Sequence, residues 1–169
     1  MRPFDCCKPD WLNSINQVTL AIVQRLAGDA AGAKTNAEQA CNTLKQLYGD
    51  QPDNLAVSKS LSQAYAVMGE KDSALKAAEH AVMLLPGGQD AVSGPTLEEN
   101  LALIQTIVGE KSRAISTLSQ LLQTPYDTSY YATPITPALL RLDPIWDPLR
   151  NDPAFQKLIS EPEPATVYK

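Results

Sequence analysis

A single histidine, His80, stands in 169 residues, beside Glu79 on a helix-forming stretch. A histidine base needs a nucleophile and an orienting partner within reach. The sequence frames neither a GxSxG turn nor a Cys–His pairing, so His80 reads as a surface helix residue. Glu98 and Glu99 are adjacent, and adjacent helical residues point to different sides. They read as first-turn acids that favour the helix dipole, not as an acid–base pair. Asp143, Asp147 and Asp152 each precede a proline. That is a helix-start signal, with carboxylates that cap backbone N–H groups instead of binding a metal. Gly87-Gly88 lacks the Lys-Ser/Thr that would make a phosphate loop. Cys6, Cys7 and Cys41 include no CxxC spacing, which excludes a zinc or thioredoxin-type reading. Cys41 reads as a small core residue, and Cys6-Cys7 as two thiols in an N-terminal segment. Tyr126, Tyr130 and Tyr131 cluster late in the chain, where packing against a cap is favoured over stacking on a ligand. The expectation is therefore no catalytic residue, no metal and no cofactor.

The overall charge narrows the class further. Nineteen Asp+Glu against 14 Lys+Arg leave a net charge of −5. Nonspecific binding to nucleic acid or to an anionic membrane needs a basic excess. No apolar run approaches the roughly 20 residues of a membrane span. Residues 1–10 contain no apolar h-region of a secretory signal. Together with the thiols, this sets a cytoplasmic expectation, provided that the chain is not a piece of a longer protein.

The elements that carry these residues repeat. Gly28, Gly69 and Gly109 stand 41 and 40 residues apart, in Gly-Asp-Ala-Ala-Gly-Ala, Gly-Glu-Lys-Asp-Ser-Ala and Gly-Glu-Lys-Ser-Arg-Ala. Leu61, Ala64, Tyr65 and Met68 fall at helical spacing before Gly69, which supplies the left-handed residue that ends the helix. Asp72 is predicted to cap the next helix, Ala74, Leu75, Ala78, Ala81, Val82 and Leu85 give its apolar face, and Pro86 closes it. The third unit has Leu101, Ile104 and Val108 before Gly109. Ser112 is its predicted cap, Ala114, Ile115, Leu118, Leu121 and Leu122 form its apolar face, and Pro125 ends it. The first unit has Leu12, Ile15, Thr19, Ile22 and Leu26 before Gly28, then Ala33, Ala37, Ala40, Leu44, Leu47 and Tyr48, with Gly49 and Pro52 as a delayed stop. No alternating strand pattern competes, so the chain reads as all-α.

This pattern resembles the tetratricopeptide repeat family, whose 34-residue unit is a helix pair with large, small, aromatic, glycine, alanine and proline positions at fixed offsets. The second unit matches best, through Leu61, Tyr65, Gly69, Ala74, Ala81 and Pro86. The third keeps Leu101, Ala102, Gly109 and Ala114, but has Gln105 for the aromatic and Leu121 for an alanine. The first keeps Leu20, Ala21, Gly28, Ala33 and Ala40, with Gln24 for the aromatic. The resemblance implies a right-handed helical-hairpin superhelix of about three repeats. Residues 1–10 form a flexible segment, 11–52 a degenerate first repeat, 53–88 the second, and 89–128 a linker and the third. Residues 129–160 are read as capping helices and 161–169 as a frayed tail.

In that cap, Thr136 precedes Pro137 as a helix start, and Asp143-Pro144 and Asp152-Pro153 repeat the signal. Leu139, Leu142, Ile145, Trp146, Leu149, Phe155, Leu158 and Ile159 supply apolar cover for the last repeat. The string from Leu140 to Gln156 resembles the C-terminal end of large bacterial multidomain regulators.

By the resemblance, first helices line a concave groove. The carried-over positions are Ile15, Val18, Ile22 and Arg25, then Lys59, Gln63 and Ala66, then Thr96, Glu99, Leu103 and Thr106. The carboxylate clamp of chaperone-binding members falls on Val18, Ile22, Ser60, Thr96 and Asn100, none of them charged, so that ligand is not expected. The expectation is a non-catalytic scaffold that binds a protein or peptide segment. The alternative is a C-terminal sensory or regulatory domain acting within a larger bacterial kinase, cyclase or transcription regulator, whose output domain would precede Met1. Self-association through an exposed first repeat stays open.

Overall fold

The computed structural model describes residues 9–85, 93–123 and 134–160, apart from the side chains at positions 9, 10 and 93. Among the described residues the chain is all-helical, without strands. The order is α1 (Pro9–Leu26), α2 (Ala30–Asp50), α3 (Leu55–Met68), α4 (Lys71–Leu84), α5 (Ser93–Ile107), α6 (Lys111–Gln123), α7 (Pro137–Leu142), a 3₁₀ helix (Pro144–Leu149) and α8 (Pro153–Ser160). The chain divides into two compact units, Met1–Ala77 and Ala78–Lys169. The division falls inside α4.

Three turns share one geometry. Gly28, Gly69 and Gly109 have φ of +83°, +84° and +84°, and no non-glycine residue among those described has positive φ. Each glycine reverses the chain in a conformation that penalises any Cβ. The residue after each glycine starts the next helix. Ala33, Ala74 and Ala114 donate their N–H groups to the carbonyls of Asp29, Glu70 and Glu110. The cap positions are therefore Asp29, Glu70 and Glu110. Asp72 lies inside the first turn of α4, and Ser112 inside α6, so neither is the cap expected of it. Asp29 also accepts from the Gly32 N–H through its side chain, at 2.9 Å.

In the first unit α1 packs on α2 and α3, and α2 packs on α3. Val18, Ala40, Cys41, Leu44, Val57, Leu61 and Ala64 form one core, with Trp11, Tyr48 and Tyr65 against it. Ala21, Ala33, Ala37 and Val67 form a second, and Ile22 and Met68 touch both. Ala21, Ala33 and Ala37 let α1 and α2 approach closely. α2 overruns Tyr48 to Asp50, so Gly49 lies inside the helix and is not the stop expected of it; Gln51 caps the end and Pro52 follows. α1 starts at Pro9, inside the segment expected to be flexible, because a proline suits the first helical turn. The apolar face read for α1 is corrected: Leu12, Thr19 and Leu26 are exposed, while Ser14, Val18 and Ala21 are buried.

In the second unit α5 packs on α6, and the chain after α6 folds back over both. The 3₁₀ helix touches α5 and α6, and α8 touches α6 and α7. Leu118 and Leu121 of α6 share one core with Leu140, Trp146, Leu149, Phe155, Leu158 and Ile159. The segment after α6 thus covers the α5–α6 pair. Its start signals work as read in three places. Thr136 accepts from Leu139 N, Asp143 from Ile145 N and Asp152 from Ala154 N. Asp147 does not start a helix; it pairs with Arg150, whose guanidinium also donates to the carbonyls of Arg141 and Asp143. Leu142 is 77% exposed, whereas Leu140 and Pro137 of α7 are buried. Pro86, Pro125, Gly87-Gly88, Cys6-Cys7, the three late tyrosines and the 161–169 tail lie outside the described residues.

Candidate functional site

The positions that carried the family pattern pack as small residues at a close contact must. Ala74, Ala81 and Ala114 are fully buried. Tyr65 is half-buried against the first-unit core. Its aromatic position is polar in the other two repeats, and there the structure shows a compensating bond. The Gln24 carbonyl accepts from Asn36 Nδ2 at 2.8 Å, linking α1 to α2. The Gln105 carbonyl accepts from Thr117 Oγ1 at 3.0 Å, linking α5 to α6. Both partners lie 12 residues on, where the second repeat has Ala77 after Tyr65. Where the second repeat has Tyr65 and Ala77 at this offset, the other two have a hydrogen-bonded polar pair. In the sequence Gln24 and Gln105 stand as departures from the family pattern, and their fixed offset to Asn36 and Thr117 is the signal for the pair.

The groove positions separate by burial. Val18 is 1% exposed inside the first-unit core, so it offers nothing to a partner. Ala66 and Thr106 are buried as well, and Thr106 Oγ1 donates to the Ala102 carbonyl at 2.8 Å. Ser60 and Asn100 are buried too. Ile15 is half-buried and Ile22 half-buried between two cores, while Arg25 is exposed. Lys59 and Gln63 on α3 are half-buried. Within the second unit, Glu99 is half-buried, and Leu103 packs on the core around Leu118. The predicted set thus keeps exposed Arg25 and half-buried Lys59, Gln63, Thr96 and Glu99, beside the equally half-buried Ile15, Ile22 and Leu103. Of the apolar residues expected in its first third, Val18 alone is lost to the core.

Glu98 and Glu99 fall in the second turn of α5, because that helix starts at Ser93. His80 is half-buried on α4. Among the described residues no three His, Cys, Asp or Glu side chains gather as metal ligands, and no helix is long and apolar enough to cross a membrane.

One titratable cluster stands in the first unit. Cys41 is buried, and Lys45, one turn on, lies with Nζ 5.2 Å from the Tyr65 ring centroid. Burial pushes the Cys41 thiol up, and Lys45 opposes that only in part. Burial, then Cys41, raises Tyr65; Cys41 and then Tyr65 raise Lys45. A thiol held protonated is a poor nucleophile; Cys41 packs in the first-unit core, with Tyr65 partly buried against it and Lys45 exposed. Trp11 Nε1 and Ser58 Oγ are buried without a hydrogen-bond partner.

No protein-family model matches the chain, and no curated protein or solved structure matches it.

Proposed function

We propose that this chain is a non-catalytic interaction module of the tetratricopeptide type, which holds a protein or peptide segment on the first helices of its repeats. The observation that carries the reading is the threefold turn: Gly28, Gly69 and Gly109 adopt one backbone geometry at near-equal spacing. Buried small residues follow each turn at Ala33, Ala74 and Ala114. Such pairs stack by burying one face, and the other face of each first helix is left for a ligand. In the first unit that face carries Arg25, Lys59 and Gln63, with Ile15 and Ile22 beside them. In the second unit it carries Glu99 and Leu103. The charged and amide groups suit the polar backbone and side chains of an extended segment.

The test is capture of partners on the immobilised chain, beside Lys59→Glu and Glu99→Lys, each checked for unchanged helicity. Lys34→Glu, on the exposed face of α2, serves as the control. The expected result is a protein retained by the wild type and the control, and lost from a first-helix variant. Retention by every variant, or capture of nothing, contradicts the reading.

A further inference from the structure

We propose that α1 is a self-association element that pairs, antiparallel, with α1 of a second copy of this chain. The stripe it would use is separate from the ligand positions above. Leu12, Asn16, Thr19, Val23 and Leu26 follow one another at steps of four, three, four and three. That is the spacing of a coiled-coil seam, which keeps one line of side chains facing a partner helix. All five are exposed, with Leu20 beside them. The four large apolar residues of this face, Leu12, Leu20, Val23 and Leu26, are 45–55% exposed. The only other exposed large apolar residues among those described, Met83 and Leu142, stand singly on other helices. Single exposed apolar residues are ordinary; four on one helix are not.

The chemistry of the row selects its occupant. No residue from Trp11 to Gln24 is charged, in a chain of net charge −5. An acidic or basic segment gains nothing from such a face, whereas a second copy brings the same uncharged row. The seam is also self-complementary when reversed. With Leu12 opposite the partner's Val23, Asn16 falls opposite the partner's Thr19, and the two-fold axis generates the same two contacts again. In these four layers apolar meets apolar and amide meets hydroxyl, and Leu26 lies beyond them. Thr19 Oγ1 already donates to the Ile15 carbonyl at 3.0 Å, which leaves its lone pairs to accept from an Asn amide. Opposed helix dipoles also favour the antiparallel arrangement. A polar layer at the centre fixes register at a cost in affinity. One helix against one helix buries less than the roughly 1,600 Å² of a standard interface, so the dimer is weak.

Sedimentation equilibrium of the full chain tests this from about 5 to about 500 μM at low and high salt. The mass should rise from monomer to dimer. High salt should strengthen the dimer by screening repulsion between two acidic chains. Leu12→Glu/Val23→Glu should weaken it by about tenfold or more, because the seam then buries carboxylates. Asn16→Leu should tighten it, and Met83→Glu should leave it unchanged. Circular dichroism confirms that each variant stays helical; the substituted side chains are exposed, so folding should survive. With Cys6 and Cys7 replaced by serine, a short bismaleimide should join Asn16→Cys to Thr19→Cys faster than it joins either to itself. A monomer throughout the range, a dimer untouched by Leu12→Glu/Val23→Glu, or preferred Asn16→Cys self-linkage would overturn the proposal.

Discussion

Replacing Gly28, Gly69 or Gly109 by alanine, one at a time, isolates the backbone contribution of the repeated turn. A Cβ built on any of the three meets no atom within 4 Å. Steric clash with the rest of the protein therefore contributes nothing, and the cost is that of a β-carbon at φ near +84°. That conformation costs an L-residue about 1–2 kcal/mol. Alanine also stiffens the unfolded chain, which returns up to about 1 kcal/mol only where the native φ suits it; at these turns it does not. Each variant should lose about 1–2 kcal/mol, and the three losses should agree within about 0.5 kcal/mol. Gly32 gives the contrast. It sits inside α2, where alanine is the better helix former by about 1 kcal/mol. Its Cβ, however, would meet Asp29 Oδ2 at 2.1 Å and Gln24 Nε2 at 2.4 Å. The gain in propensity is offset by a disturbed cap worth about 1 kcal/mol, so Gly32→Ala should be close to neutral. Urea titration followed by circular dichroism reads all four. Unequal losses at the three turns, or no loss at any, would refute a common strained turn as the unit of the repeat.

Three further outcomes follow from the packing. Ser58 is fully buried with an unpartnered hydroxyl, so Ser58→Ala should raise stability by about 1 kcal/mol; a loss in the same titration would show that the hydroxyl has a partner. Gln105→Tyr should destabilise the α5–α6 contact by about 1–3 kcal/mol, and adding Thr117→Ala should recover at least half of it, as a double-mutant cycle would show; additive losses would sink the exchange of aromatic–alanine for glutamine–threonine. Cys41 and Tyr65 both hold their protons more tightly when folded than when unfolded. The unfolded chain then ionises first, so their stabilising contribution is intact at neutral pH and is lost as pH rises from roughly 8.5 upward. Denaturation midpoints between pH 7 and 10 check this. Cys41→Ser should flatten the early part of the decline, and an unchanged slope would count against the thiol.

Much of this architecture is legible in the sequence because it depends on residues with few alternatives. A glycine at a left-handed turn, a threonine before Pro137 and an aspartate before Pro144 or Pro153 each satisfy a local constraint, whereas Asp147 before Pro148 carries the same signal but pairs with Arg150 instead. Capping after the glycines was less legible. Propensity favours Asp72 and Ser112 over Glu70 and Glu110, but the turn is so tight that the helix starts directly after the residue following glycine. Asp29, at the equivalent place in the first repeat, held the answer. The two faces of α1 were harder still. Apolar residues occupy both, and periodicity does not say which one meets α2. The choice is made by size, since Ala21 with Ala33 and Ala37 allows the close approach that leaves Leu12, Val23 and Leu26 outside. That same choice took Val18 out of the predicted ligand face. In the six-residue α7, too few turns exist for periodicity to distinguish Leu140 from Leu142.

Amide hydrogen exchange of the full chain, with and without a partner segment recovered by capture, tests the interaction reading most directly. Binding on first helices should slow exchange in α3 and α5 while leaving α2 and α6 unchanged. Protection confined to α7 and α8, or spread over α2 and α6 with α3 and α5 unaffected, would contradict it.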